Sequence, residues 1–167
     1  MAMFEVSVVY LTRPSTARAQ DGPVEVLLGE KLTGFGAGRL VGPGGKLEPG
    51  ESPRRAAVRE VFEEVGVGIH EHDLVPIARI AYPFRGRPEW SQFSHVFTCA
   101  RWEGEPRVSS ELAPEWFALD TVPWNRMWAD TAHWLPRALA GRFVAATLTF
   151  GSDDAMVGAD WSGAHRS

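Results

Sequence analysis

Three glutamates, Glu60, Glu63 and Glu64, stand at i, i+3 and i+4 in a stretch with no helix breaker between Pro53 and Gly66. Taking about 100° per residue, they cluster on one side of a helix while Val58, Val61, Phe62 and Val65 fall in one apolar sector opposite. Like charges at these spacings destabilise a helix by roughly a few tenths of a kcal/mol per pair, so the pattern opposes folding unless something neutralises it. It is either a solvated acidic face or a seat for a hard divalent cation, which prefers oxygen donors; beside a phosphate substrate, Mg²⁺ or Mn²⁺ suits such a row.

The carboxylates need a framework that holds them still. Ser52 supplies an N-cap, Pro53 a first-turn proline and Gly66 a C-terminal cap, so the spacing predicts a helix over 53–65. Ahead of it, residues 34–51 carry too many glycines for regular structure and read as a specialised loop. Strands are expected at Phe4 to Leu11 and Val24 to Leu28, joined by the exposed connection TRPSTARAQDGP, and again at Leu74 to Phe84, Gln92 to Trp102, Trp116 to Leu119 and Phe143 to Phe150. A second helix is expected between Asp130 and Ala140, bent or delayed by Pro136. Strands interleaved with two helices predict an α/β domain: a mixed sheet with helices packed on it. That domain spans 1–153, and residues 154–167, weakly patterned, are expected as a frayed tail.

The bulk properties exclude several classes. With 44% hydrophobic and 23% charged residues, the chain has the composition of a soluble globular domain. No apolar run reaches membrane-spanning length. The N-terminal residues lack the basic flank and cleavage site of a signal peptide. Cys99 is the single cysteine, so a reducing, cytoplasmic setting fits. A net charge of −4 argues against a broad surface for a nucleic acid polymer. A local cation would be needed to hold an anionic ligand.

From Gly45 the chain runs GKLEPGESPRRAAVREVFEEVGV: a glycine, five residues, a glutamate, seven residues, then Arg-Glu-apolar-x-Glu-Glu-x-Gly-apolar. This resembles the Nudix box throughout, at Gly45, Glu51, Arg59, Glu60, Val61, Glu63, Glu64, Gly66 and Val67. The resemblance implies a Nudix fold, an α/β/α sandwich with a mixed sheet and a loop-helix-loop. It implies hydrolysis of a phosphoanhydride bond with Mg²⁺, for which Mn²⁺ can substitute. By resemblance Gly45, Glu60, Glu63 and Glu64 hold the metal, Arg59 orients a glutamate by ion pairing, and Glu51 is its partner or a more distant metal contact. Gly44, Gly45 and Gly50 let the backbone turn tightly before the helix.

Outside the box, LLGEKLTGFGAGR and PEWFALDTVPWNRMWAD look like the oxidised-purine nucleoside triphosphatase branch of that family. That likeness implies a purine pocket with Phe35 from the glycine-rich loop and with Trp128 and Asp130, Tyr82 being a further wall candidate. Aromatic rings stack on a purine, and a carboxyl can hydrogen-bond its edge. Glu111, in VSSELAPEWF, matches a position that contributes a late metal contact or a general base. The chain departs from the branch at Val41, where asparagine is usual, and at Thr131, where a second aspartate is usual. Lys31, Arg39 and Lys46 are candidate phosphate contacts. His95 and Cys99, in an apolar strand, read as packed.

Other motifs fail. Gly45-Lys46 lacks the first glycine and the Ser/Thr of a P-loop, Gly36-x-Gly38 opens no helix, and His70 to Asp73 has no distant ligand partners. The expected reaction takes a nucleoside triphosphate to monophosphate and pyrophosphate. Alternatives are hydrolysis of ADP-ribose or another nucleotide-linked diphosphate, and nucleotide sensing without turnover. The intact carboxylate set favours an enzyme acting on a small nucleotide, as a monomer or weak dimer without a membrane partner.

Overall fold

β1 (Phe4–Pro14) carries hydrogen-bonded neighbours on both edges, and the rest of the molecule is laid out from it. In the computed structural model, which describes residues 3–15 and 24–166, one edge pairs in parallel with β6 (Gln92–Cys99), from Phe4 opposite Gln92 to Leu11 opposite Cys99. The other edge is shared by β4 (Gly44–Lys46) beside Val6 to Val8 and β2 (Val24–Lys31) beside Thr12 to Pro14, both antiparallel. Beyond β6 lie β5 (Val75–Tyr82), β8 (Val144–Phe150) and β9 (Met156–Asp160); β3 (Leu40–Val41) and β7 (Leu112–Ala118) flank β2. Most of the expected connection between β1 and β2, residues 16–23, lies outside the described residues.

The period of two along β1 sorts the core. Val9 and Leu11 face α1 (Pro53–Val65), packing with Leu27, Phe97, Ala57, Val61 and Val65. Tyr10 faces the other way, with Ile80, Val96 and Leu148, onto Trp134, Leu135 and Ala138 of α2 (Thr131–Leu139). A helix therefore covers each side of a mixed sheet, the expected α/β/α sandwich. Each fully buried aliphatic side chain contributes roughly 1.5–3 kcal/mol. The Ser7 hydroxyl, on the α1 side, donates to the Pro53 carbonyl at 2.6 Å and ties β1 to the start of α1.

α1 has the expected ends. The Ser52 hydroxyl accepts from the Arg55 amide, and Gly66 sits at φ 77°, its amide donating to the Phe62 carbonyl. The faces differ from the expectation. Phe62 is 60% exposed, whereas Glu64 is only 7% exposed. Ala56, Ala57, Val61 and Val65 are the buried apolar positions, and at about 100° per residue Glu60 and the buried Glu64 fall inside that arc. Phe62 and Glu63 fall outside it on opposite sides. The two alanines decide this: they bring the helix close to the sheet and set which arc is covered.

Two further expectations are corrected. The glycine-rich stretch 34–51 contains β3 and β4, because a glycine strand can lie where side chains cannot: a Cβ on Gly44 would fall on the Ser7 carbonyl oxygen of β1. The tail expected to fray from 154 onward instead forms β9, paired with β8 from Thr147 opposite Asp160 to Phe150 opposite Met156. Farther on, Arg166 pairs with Glu5 at 2.8 Å. No helix among the described residues is long and apolar enough to cross a membrane.

Candidate active site

Where α1 passes β4, the backbone of the glycine strand meets two glutamates. The Gly44 amide donates to Glu64 Oε1 at 3.0 Å, and a Cβ on Gly45 would lie 2.5 Å from the Glu60 carboxyl. Only a bare backbone fits there. Arg59 stands beside them, donating from Nε and Nη2 to Glu51 at 2.8 and 2.7 Å and from Nη1 to Glu60 at 2.8 Å and Glu63 at 3.3 Å. It also donates to the Lys46 carbonyl at 3.0 Å, fixing the end of β4. The paired guanidinium holds the Glu51 carboxyl down to about 2.

Glu60, Glu64 and Glu111 line one cavity of about 200 Å³ with Lys31, Thr33, Val41, Gly44 and Gly45. Burial pushes the Glu64 carboxyl up to about 7, and the charges of Glu60 and Glu111 add to the rise against the pull of the Gly44 amide and Lys31. Burial likewise raises Glu60, against its bond to Arg59. Three carboxyls facing one small cavity with more negative charge than Lys31 offsets make a donor set that fits a hard divalent cation. Glu63 is not among them: its side chain is 55% exposed and turned to Arg59. Among the described residues no three acidic, imidazole or thiol groups already stand in coordinating geometry, since Arg59 draws Glu60 and Glu63 toward itself.

A larger cavity of about 370 Å³ adjoins this one, and Lys31, Val41, Gly44 and Gly45 line both. Its floor is Asp130, 1% exposed, whose Oδ2 accepts from the Tyr82 hydroxyl at 2.8 Å and from Trp134 Nε1 at 2.7 Å. Burial raises the Asp130 carboxyl and these two bonds lower it. Phe35 lies at the aromatic rim, with ring centroids 4.2 Å from Trp90, 5.0 Å from Trp128 and 5.4 Å from Phe84. Arg39 covers Trp128 at 3.9 Å and pairs with Asp154 at 3.7 Å; Arg87 covers Trp90 at 4.2 Å. These stacked guanidiniums fix the two indoles without adding bulk inside.

The expected residues therefore sort by place. Phe35, Lys31, Tyr82, Trp128 and Asp130 meet in the larger cavity, and Gly45, Glu60, Glu64 and Glu111 in the smaller; Arg59 braces them from behind. Arg39 is engaged with the Trp128 ring, and Lys46, over the Phe4 ring, lines the larger cavity with it. His70 and His72 stack on each other outside both cavities. His95 bonds Glu5 at 2.8 Å, and Cys99 is buried. The wall also holds residues that the sequence does not single out, among them the aromatics Tyr10, Phe84, Trp90 and Phe150. Trp90 sits in RGRPEW, whose polar, proline-bearing character reads as a connection; aromatic residues at both ends of a strand pair were the one available hint.

Residues 5–138 match the NUDIX domain. Over 135 residues, 81% of the chain and 85% of the relative, the sequence is 39% identical to the oxidized purine nucleoside triphosphate hydrolase of Danio rerio. It is 36% identical to the protein of the same description from Mus musculus, over the same shares. The crystal structure of a Bacillus halodurans mutator MutT protein superposes with a TM-score of 0.74, covering 95% of this chain and 97% of that one at 23% identity, which speaks to the fold. With the box residues on the loop and helix beside β4, and with a domain match over most of its length, the chain belongs to the Nudix family of hydrolases.

Proposed function

We propose that the protein hydrolyses purine nucleoside triphosphates, oxidised purines among them, to the monophosphate and pyrophosphate, using Mg²⁺ with Mn²⁺ as a substitute. The observation that carries this is the continuity of the two cavities: an aromatic pocket floored by a carboxyl opens through Lys31, Val41, Gly44 and Gly45 onto the carboxylate cavity. A base stacked at Phe35 and Trp128 with its edge toward Asp130 places its phosphates beside Glu60, Glu64 and Glu111. The descriptions of the two animal relatives support the same substrate class.

In this reading Glu60, Glu64 and Glu111, with the Gly45 backbone, hold the metal, and Glu63 joins them when it leaves Arg59. A bound divalent cation would offset phosphate charge and make an attacking water more acidic. Lys31 neutralises a phosphate oxygen, Arg59 holds Glu51 and Glu60 in place, and Glu64 or Glu111 accepts the proton of the water. Most of the work is positioning and charge, as a phosphoanhydride cut requires. Product analysis with Mg²⁺ across dGTP, dATP, 8-oxo-dGTP, 2-hydroxy-dATP and ADP-ribose tests the reading. Monophosphate plus pyrophosphate from the purine triphosphates is expected; orthophosphate as the first product, or turnover of ADP-ribose alone, would refute it.

A further inference from the structure

Tyr10 is 4% exposed and lies in the middle of β1, where the sequence reads as core. Its ring is held on two sides. A Cβ on Gly42 would come within 2.9 Å of Tyr10 Cε1, so the glycine makes room for the ring edge. On another side Trp134 packs against it edge-on, with centroids 6.5 Å apart at 68°. Tyr82 and Trp134 both spend their polar atoms on Asp130 Oδ2. The Tyr10 hydroxyl makes no hydrogen bond to any described residue. Among the described residues no side-chain polar atom sealed from solvent lacks a partner, so this hydroxyl opens onto the cavity that Tyr10 lines.

A phenol in this position is costly if packing is its only role. When a ligand displaces water from the pocket, a hydroxyl left without a partner costs about 1–3 kcal/mol, and a phenylalanine would fill the same space without that cost. The neighbouring wall makes the placement informative. Val41, adjoining Gly42, lines the same cavity and has no polar side-chain atom, and Asp130 serves the floor. Tyr10 brings a hydroxyl, both donor and acceptor, into this pocket, whose lining also holds the buried hydroxyl residues Ser94 and Thr131.

We propose that Tyr10 is a specificity-determining residue whose hydroxyl hydrogen-bonds an exocyclic oxygen or amino group on the edge of the bound purine, on the wall where Val41 offers none. This rests on the purine-pocket reading above. A hydroxyl both donates and accepts, so it serves a carbonyl or an amino group equally. Guanine-type and adenine-type bases are therefore both bound through it, and an unsubstituted purine gains nothing from it.

The test is Tyr10→Phe, which keeps the ring and removes one oxygen. Calorimetric binding of dGMP, dAMP and unsubstituted purine 2′-deoxyriboside monophosphate is measured on wild type and variant, without metal, so the pocket is read independently of turnover. The variant is expected to bind dGMP and dAMP about three- to tenfold more weakly, the worth of one neutral hydrogen bond, and the unsubstituted purine less than about twofold more weakly. Equal weakening of all three would reveal a packing role, and no change would show an idle hydroxyl; either result overturns the proposal. A substituent-dependent loss in Tyr10→Phe, with a wild type that hydrolyses no purine triphosphate, would leave Tyr10 in place and remove the proposed reaction. Hydrolysis as proposed with a flat Tyr10→Phe profile would do the reverse.

Discussion

Glu64 shows how a residue can be held against its own stability. Its folded-state value of about 7 lies above the ordinary 4.5, so without metal the folded protein retains a proton that the unfolded chain has lost. Between pH about 4.5 and about 7 this group makes stability fall as pH rises. Glu64→Gln removes that cost and keeps an acceptor for the Gly44 amide. The metal-free variant is expected to melt a few degrees higher than wild type at pH 8 and at nearly the same temperature at pH 4.5, while kcat falls at least about a hundredfold. A lower melting temperature at pH 8 would mean that the charge is compensated in the metal-free protein. Val41→Asn is expected to sharpen the preference for 8-oxo-dGTP over dGTP by restoring a polar group to an apolar wall, read as a change in the kcat/KM ratio. A preference of several orders of magnitude in wild type would show that Val41 limits nothing. The acidic cluster was legible in the sequence because its spacing is helical. Its division was not: Glu64 inward, Glu60 at the rim and Glu63 outward follow from the packing of Ala56 and Ala57 on the sheet. Tyr10 was equally hidden, since an aromatic in an apolar strand looks the same whether its hydroxyl is idle or used.

Among the elements, α1 is the one whose ends were written in local residues. Ser52, Pro53 and Gly66 act within a turn of the positions they terminate, and no tertiary contact had to be known. Gly66 adopts φ 77°, and a Cβ there would come within 2.5 Å of Arg107 Nε. Gly66→Ala is expected to cost about 1–2 kcal/mol in urea unfolding, combining left-handed strain with displacement of Arg107. A loss below about 0.5 kcal/mol would mean that the cap relaxes into another turn. β3 and β4 were not legible for the converse reason. Their glycines carry no period of two, and what makes Gly44–Lys46 a strand is the empty edge of β1 beside it. β7 begins four residues earlier than its apolar pattern suggests, because its pairing with β2 runs from Leu112 opposite Lys31 to Ala118 opposite Glu25.

The whole molecule closes its larger, aromatic cavity from the C-terminal end. Phe150 ends β8 with its ring 5.2 Å from Phe84 and 5.6 Å from Trp128, and the turn that follows supplies Asp154 to Arg39. Ending the chain after residue 153 removes β9 and that ion pair. Such a protein is expected to melt at a lower temperature and to show a higher KM with kcat less affected, because the pocket wall loosens while the carboxylate cavity, built from β2, β4, α1 and the residues just before β7, stays intact. An unchanged KM would assign the C-terminal hairpin a purely structural part.

The parallel pairing of β1 with β6 has a consequence for how the protein comes into being. β1, an interior strand of the sheet, leaves the ribosome well before its parallel neighbour, which follows only when Gln92 to Cys99 have been made. Until then Val6, Val9 and Leu11 belong to an unpaired apolar edge, the kind of surface that recruits other nascent chains. Pairing across so long a stretch of chain also makes spontaneous folding slow, milliseconds to seconds being usual for such topologies. Early synthesis at high concentration, rather than the finished fold, is where this chain is most exposed to aggregation.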